Sequence, residues 1–277
     1  MTSDVLITNW HHDLQTALSA ESLTAVDVRV GVFYTAVMLA TGEVGVAFTP
    51  RDLADTVCCP RSAAAGPPAG RLSGASIWEL AEYAQARTPL RRAVGVAALN
   101  ALSARAVDLH GVPGGRIMPD ADALDAANVR PEETVAMVGA FTPFIKALKT
   151  TVRQLWVIDK HPGALRGDEV ELWRPPAEAA STLSHADVVV ITGSALVEGG
   201  LAGLLDAAAN ARCVVLAGPT ASPWPPTFFA RGVHILGGVQ ITDGPGAMRL
   251  VGEGASGYLL FSQVGRKVCV IREPDSP

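Results

Sequence analysis

Met137-Val138-Gly139-Ala140-Phe141-Thr142-Pro143-Phe144-Ile145 takes an apolar strand into a glycine turn and then into a helix opened by proline. The strand begins upstream at Thr134-Val135-Ala136, and Pro143, with its fixed φ and no N–H to lose, suits a first helical position. Ile145, Leu148 and Val152 follow at spacings that let them face a sheet. A second strand, Gln154-Leu155-Trp156-Val157-Ile158, ends in Asp159, twenty residues beyond Gly139. A Rossmann-like fold holds a nucleotide at such a turn, and an acidic residue at about that distance accepts hydrogen bonds from ribose hydroxyls. Only Gly139 of the three-glycine dinucleotide fingerprint is present, with Thr142-Pro143 standing where the later glycines would be, so a standard NAD pyrophosphate site is not expected.

Outward from this unit the alternation continues. Strands are expected at Thr134–Val138, 155–158, 187–191, 213–216 and 233–236, with helices near 143–153, 196–209 and 226–230. Near-continuous apolar strands alternating with helices imply a parallel sheet covered on both faces, with ligands bound beyond the strand carboxyl ends. Upstream the pattern is different. Val28, Val30, Val32 and Tyr34 alternate with their neighbours, Thr41-Gly42-Glu43 punctuates, and Val44-Gly45-Val46-Ala47-Phe48 follows, which reads as a β-hairpin. Helices are expected at about 5–18, from Ser76 through Tyr83, and at about 89–104, with a Gly/Pro/Ala-rich loop at 63–70. The weakly patterned stretch 111–132 reads as a connection. The resulting division is a smaller α+β part at 1–110, a connection at 111–132 and a Rossmann-like α/β part at 133–277.

The 277 residues, 49% hydrophobic and 18% charged, can bury a sizeable core. A net charge of −5 and a pI near 5.7, with no basic cluster beyond Arg91-Arg92, argue against nucleic-acid partners. Apolar runs are short and broken by glycine, and the first residues have no secretory pattern, so a membrane partner is not expected and the expected location is the cytoplasm. Four cysteines make no disulfide framework in a chain this long. Cys213 and Cys269 sit in apolar strand sequence and read as buried small residues, and the adjacent Cys58-Cys59 lacks the spacing of a zinc site.

Small and polar residues recur where the strands end. Beside Gly139 to Pro143 stand Thr192-Gly193-Ser194, with Glu198 in the next helix, and Ala217-Gly218-Pro219-Thr220. Glycine admits close backbone approach to a ligand, although tight βα turns demand the same residues. Asp159-Lys160-His161-Pro162 is the densest ionisable group at a strand end: Asp159 could bind hydroxyls and His161 could shuttle a proton. Glu253, held among glycines in Gly252-Glu253-Gly254-Ala255-Ser256-Gly257, is a second acid/base candidate. Asn100 is a polar residue late in an apolar helix, so it either hydrogen-bonds the chain or faces the cleft between the two parts. No G-x-S-x-G elbow, P-loop or H-E-x-x-H motif is present.

Met137-Val138-Gly139-Ala140-Phe141-Thr142-Pro143, the run from Ala186 to Val197 and Val214-Val215-Leu216-Ala217-Gly218-Pro219-Thr220-Ala221-Ser222 resemble the putative heavy-metal chelation family, a domain of unknown function. Val44-Gly45-Val46-Ala47 and Gly95-Val96-Ala97-Ala98-Leu99-Asn100-Ala101 are similar to its companion domain, which is enolase N-terminal-like. The resemblance implies a Rossmann-like half and an enolase-like half that together complete a cleft, and roles in condensation or hydrolysis of pterin-like, flavin-like or chelating molecules, or in heavy-metal handling. It carries Gly139, Phe141, Pro143, Gly193, Ser194, Gly218, Pro219 and Asn100 into that site. Two departures stand out: Asp159 where a glutamate-containing strand end is expected, and Glu198 in place of an asparagine, which adds negative charge beside the third loop.

The leading expectation is an enzyme acting by condensation, hydrolysis or group transfer on a nucleoside-like or heterocyclic ligand in the interdomain cleft, linked to metallophore metabolism. In it Gly139, Phe141, Thr142 and Pro143 seat the ligand, Asp159 accepts from it, Gly193-Ser194 and Gly218-Pro219 floor the pocket, and Glu253, His161 and Asn100 supply the chemistry. The rival is a protein that binds a divalent metal or a metal chelate without turnover, its ligands unknown. A third reading, an S-adenosylmethionine-dependent methyltransferase, rests only on the sheet and Asp159. A homodimer is left open.

Overall fold

The computed structural model describes residues 4–51 and 66–274. Cys58 and Cys59, and residues 63–65 of the expected 63–70 loop, lie outside them. Helix α1 (Val5–Ala17) is capped by Asp4, whose Oδ1 accepts from the Leu6 and Ile7 amides, and it buries Leu6, Ile7, Trp10 and Leu14 along one stripe. Strands β1 (Ala25–Val30), β2 (Tyr34–Leu39) and β3 (Val44–Phe48) form an antiparallel three-stranded meander. The expected hairpin therefore has an extra reversal. The stretch read as one strand from Val28 to Tyr34 turns at Gly31, whose N–H donates to the Tyr34 carbonyl at 2.9 Å. A Cβ on Gly31 would lie 2.1 Å from the Val251 carbonyl oxygen, so only glycine fits there.

After the short helix α2 (Ile77–Glu82), α3 (Pro89–His110) starts on proline and ends at Gly111, whose φ is +67°. It runs beyond the expected end at 104, and every residue from Ala93 to Ser103 is buried, because the helix is packed on several sides. The stretch 111–132, read as a connection, contains β4 (Gly115–Pro119) and α4 (Ala123–Ala127).

The large sheet has eight strands in the order β4-β11-β10-β9-β8-β5-β6-β7, comprising β5 (Thr134–Val138), β6 (Gln154–Ile158), β7 (Trp173–Arg174), β8 (Val188–Thr192), β9 (Cys213–Ala217), β10 (Ile235–Ile241) and β11 (Gly265–Arg272). Strands β5 to β10 pair in parallel, and β11 runs antiparallel to both β10 and β4. The chain steps outward from β5 to β7 and returns to β8 on the other side of β5, which is the strand order of a Rossmann-like sheet with its switch point between β5 and β8. The molecule is thus an α/β protein with a mostly parallel sheet and a separate small antiparallel one. Helices α5 (Thr142–Leu148), α6 (Ala179–Leu183), α7 (Ala195–Glu198), α8 (Leu201–Ala207), α9 (Pro225–Phe229) and α10 (Gly244–Gly252) complete the layers. The helix expected at 196–209 is broken into α7 and α8 at Gly199-Gly200, whose φ angles are +85° and +89°.

One core cluster crosses from the first part into the large sheet, joining Trp10, Leu99 and Leu102 to Val189, Leu216 and Phe228. Trp10 packs edge-on against Phe228 at 5.3 Å and donates its indole N–H to Ser103 Oγ at 3.0 Å. Arg92 of α3 reaches across to donate to the Val197 carbonyl at the end of α7.

Candidate functional site

Two cavities lie on opposite faces of β10. The first opens at the carboxyl ends of the parallel strands, where α/β sheets bind ligands, and has a volume of about 280 Å³. Phe141 and Phe144 stack at 5.5 Å with 22° between their planes on one wall, and Tyr258 and Phe261 also line it. Gly218 and the Gly237-Gly238 pair also line it. Gly218 has φ +107° and donates its N–H to Gly237, and a Cβ there would lie 3.9 Å from the Phe141 ring. At the rim Lys267 Nζ meets Asp122 Oδ2 at 2.8 Å, while Asp122 Oδ1 caps α4 through the Leu124 amide. The pocket therefore offers flat aromatic surface, glycine backbone and a paired lysine and aspartate.

The second cavity, of about 120 Å³, lies between the small sheet with α3 on one side and β10, β11 and the 221–225 loop on the other. Asn100 lines it. Its Nδ2 donates to the Val46 carbonyl at 2.8 Å and to the Thr220 carbonyl at 3.0 Å, so one side chain ties β3 to the loop after β9. Both readings of Asn100, chain contact and cleft residue, thus describe its position.

The other expected site residues divide. Phe141, Pro143 and Gly218 line the strand-end pocket. Gly139, with φ +93°, shapes the β5 turn against Thr192, whose Cβ would stand 3.0 Å from a methyl group there. Gly193 lets the β8 turn approach the Ala221 amide, and Ser194 exchanges a hydrogen bond with Thr192 at 3.1 Å. Thr142 is exposed at the start of α5. Pro219 lies near Tyr34 across Gly257, and burial pushes the Tyr34 phenol up, Arg51 partly opposing it.

Asp159 is half-buried and its two oxygens accept from the Ala140 amide at 3.0 Å and the His161 amide at 2.9 Å. It fastens the β5 turn to the β6 turn, which is a structural use of the carboxylate expected to meet a ribose. His161 and Glu253 are exposed, and neither lines the strand-end pocket or the inter-sheet cavity. Glu253 sits at the carboxyl end of α10, beside the small sheet. The extra charge of Glu198 is met by Lys160 at 2.8 Å.

The lining residues Tyr258, Phe261, Lys267 and Asp122 were missed. One signal was available: a Gly-Gly pair inside the apolar run Ile235-Leu236-Gly237-Gly238-Val239 marks close approach of other chain segments. A Cβ on Gly237 would meet Ala123 at 2.5 Å, and one on Gly238 would meet Ser222 Oγ at 2.3 Å. Among the described residues, no group of three or more His, Cys, Asp or Glu side chains is disposed to hold a metal ion. Cys213 and Cys269, the expected buried small residues, are pushed up to about 11 by desolvation. Among the described residues, no helix is long and apolar enough to cross a membrane.

Comparison with known proteins places these features in context. Residues 122–270 match the model of the DUF364 family, described as putative heavy-metal chelation, and residues 12–103 match DUF4213, which carries the same description. An uncharacterized protein of Methanocaldococcus jannaschii is 28% identical over 181 residues, spanning 64% of this chain and 65% of that protein. The crystal structure of a DUF364-family protein of unknown function from Pyrococcus horikoshii superposes with a TM-score of 0.76 at 22% identity, covering 97% of this chain and all of that one. A second DUF364 structure, from Desulfitobacterium hafniense, gives 0.72 at 21% identity, covering 95% of this chain and 98% of that one. These likenesses show a shared fold.

Proposed function

Since the chain belongs to the DUF364 family of putative heavy-metal chelation, we propose that it binds a planar, ring-bearing small molecule of the nucleoside-like or chelating kind in the strand-end pocket. The observation that carries this reading is the pocket itself: stacked Phe141 and Phe144, glycine backbone at 218 and 237–238, and the Lys267–Asp122 pair at the rim. Aromatic walls favour a flat ring through stacking, and the Lys267–Asp122 pair offers a donor and an acceptor to polar substituents on it. A heavy metal would arrive here as part of the ligand, because the described residues offer aromatic and backbone surface at this place rather than a metal-binding cluster.

Condensation, hydrolysis or group transfer on such a ligand, as expected in metallophore metabolism, would draw on the Lys267–Asp122 pair at the rim in place of Glu253 and His161. The pocket takes its lining from residues 121–268, so the ligand would be held by the Rossmann-like part together with the end of the 111–132 stretch, with Asn100 in a separate cavity. The methyltransferase reading receives no support from Asp159, whose oxygens serve the adjoining turns.

The test is thermal stability measured against pterins, flavins, nucleosides including S-adenosylmethionine, aromatic chelators with and without bound metal, and divalent metals alone. A ligand at about one hundred times its dissociation constant adds about 2.7 kcal/mol. A ring-bearing ligand that stabilises the wild type, and does so at least about tenfold more weakly in Phe141→Ala, supports the reading. Stabilisation by metal alone, reversed by a chelator, would replace it with direct metal binding.

A further inference from the structure

The inter-sheet cavity carries its own chemistry. On α3, Asn100, Ser103, Ala104, Val107 and Asp108 recur at the spacings that place side chains on one face, and this stripe lines the cavity. At 1.5 Å rise per residue, Asn100 and Asp108 stand about 12 Å apart along the helix. Between them the opposite walls are aliphatic, formed by Val46, Leu236, Val239, Val268 and Val270.

Most polar side chains in the lining already have partners. Ser103 Oγ accepts from Trp10 and donates to the Leu99 carbonyl. Ser222 Oγ bridges the Val239 N–H and C=O, and Gln240 Oε1 accepts from Arg266. Asn100 differs. Only 2% exposed, it gives Nδ2 to two carbonyls, while its Oδ1 is enclosed and meets no donor among the described residues. A buried acceptor in that position calls for a donor. At the other end Asp108 faces Glu43, and burial together with that neighbouring carboxylate pushes the Asp108 carboxyl up, with Arg105 opposing. Arg105 is itself shared between Glu43 and Glu21, leaving this mouth of the cavity with an excess of negative charge.

We propose that the inter-sheet cavity binds a slender aliphatic amine with a nitrogen at each end, a linear diamine. Its inner nitrogen releases its extra proton to bulk water on entry, since a lone ammonium in an apolar enclosure is costly, and donates a remaining N–H to Asn100 Oδ1. Its methylenes lie against the valine walls, and its outer ammonium faces Asp108 and Glu43. The volume of about 120 Å³ fits a chain of a few carbons, since an apolar cavity of roughly 150 Å³ admits benzene. The site shares only Gly238 and Val268 with the strand-end pocket, and so stands or falls independently of the ring-ligand reading.

The experiment is calorimetric titration of the full chain with 1,4-diaminobutane and 1,5-diaminopentane, with n-pentylamine and 1-pentanol as controls. Saturable diamine binding is expected, at least about fivefold tighter than pentylamine and tighter still than pentanol. Asp108→Asn, at an exposed position, should weaken it about tenfold, and Ala104→Phe, which fills the cavity, should abolish it with the fold intact by circular dichroism. No saturable binding up to about 10 mM would overturn the proposal. So would equal affinity for pentanol, or unchanged binding in folded Ala104→Phe.

Discussion

Asn100 and Asp159 show how a polar residue acquires its role from its neighbours. Asn100 donates both to β3 and to the loop after β9, beside the bond from the Phe48 amide of β3 to Thr220 Oγ1. Asn100→Ala leaves the Val46 and Thr220 carbonyls without this donor, and at roughly 1–3 kcal/mol for each unsatisfied group it should cost about 2–6 kcal/mol in urea unfolding. For Asp159 the structure predicts a split readout. Asp159→Ala removes two turn-fastening hydrogen bonds and should lower stability by about 1–3 kcal/mol, while affinity for a ligand of the strand-end pocket changes by less than about threefold. A large loss of affinity with unchanged stability would restore the ribose role. The sequence located Asp159 at its strand end correctly, but direction was undecided: the carboxylate turns back onto the Ala140 and His161 amides, and nothing in the spacing distinguishes that from turning outward.

At the level of elements, the small residues of β3 and α3 matter more than their hydrophobic pattern suggests. A Cβ on Gly45 would stand 2.1 Å from the Ala97 carbonyl oxygen, and one on Gly95 would stand 1.9 Å from the Ala84 amide nitrogen. Alanine at position 95 gains about 1 kcal/mol in helix propensity, and the clash with fixed backbone outweighs that gain. Gly45→Ala and Gly95→Ala should each destabilise by about 3 kcal/mol, measured by chemical denaturation. Strands β5, β6, β8 and β9 were legible because each is an unbroken apolar run between turn residues, whereas the two-residue β7 was not expected and β10, expected at 233–236, runs Ile235–Ile241 through Gly237-Gly238. Strands β4 and β11 were not, since β4, the edge strand, is largely exposed, and β11, between β4 and β10, carries Arg266, Lys267 and Arg272. Edge strands need no continuous apolar sequence, and their signal is correspondingly weak.

Across the whole molecule, a shared core joins the two sheets. The division at 110 separates them in sequence, yet Trp10, Leu99, Val189 and Phe228 belong to one cluster. Unfolding should therefore be a single transition, with tryptophan fluorescence and far-ultraviolet circular dichroism superimposing; two separated transitions would show that each part folds alone. Acid sensitivity has an identifiable source. Glu133, 6% exposed, receives both Arg212 nitrogens at 2.7 and 2.8 Å, linking β5 to the start of β9, and the Arg212 guanidinium holds its carboxyl below the usual carboxylate range. A depressed folded-state value means that this stabilisation is complete above the unfolded carboxylate value near pH 4.3 and is lost as pH falls through the folded value. Solvent screening on the Arg212 side limits it to about 1–2 kcal/mol. Wild type should lose that much more stability than Glu133→Gln between pH 6 and pH 3.

The sequence by itself determined the α/β class, the positions of the parallel strands β5, β6, β8 and β9 and the turns that follow β5, β8 and β9, because those features follow from apolar runs, glycine and proline acting locally. Tertiary structure decided which of those turns border a cavity. Phe141, Pro143 and Gly218 meet Tyr258, Phe261 and Lys267 only because β11 folds back antiparallel beside β10, and Asn100 meets Thr220 only because α3 packs between the two sheets. Contacts between residues separated by more than a hundred positions depend on register and packing across the sheet, for which local periodicity carries no signal.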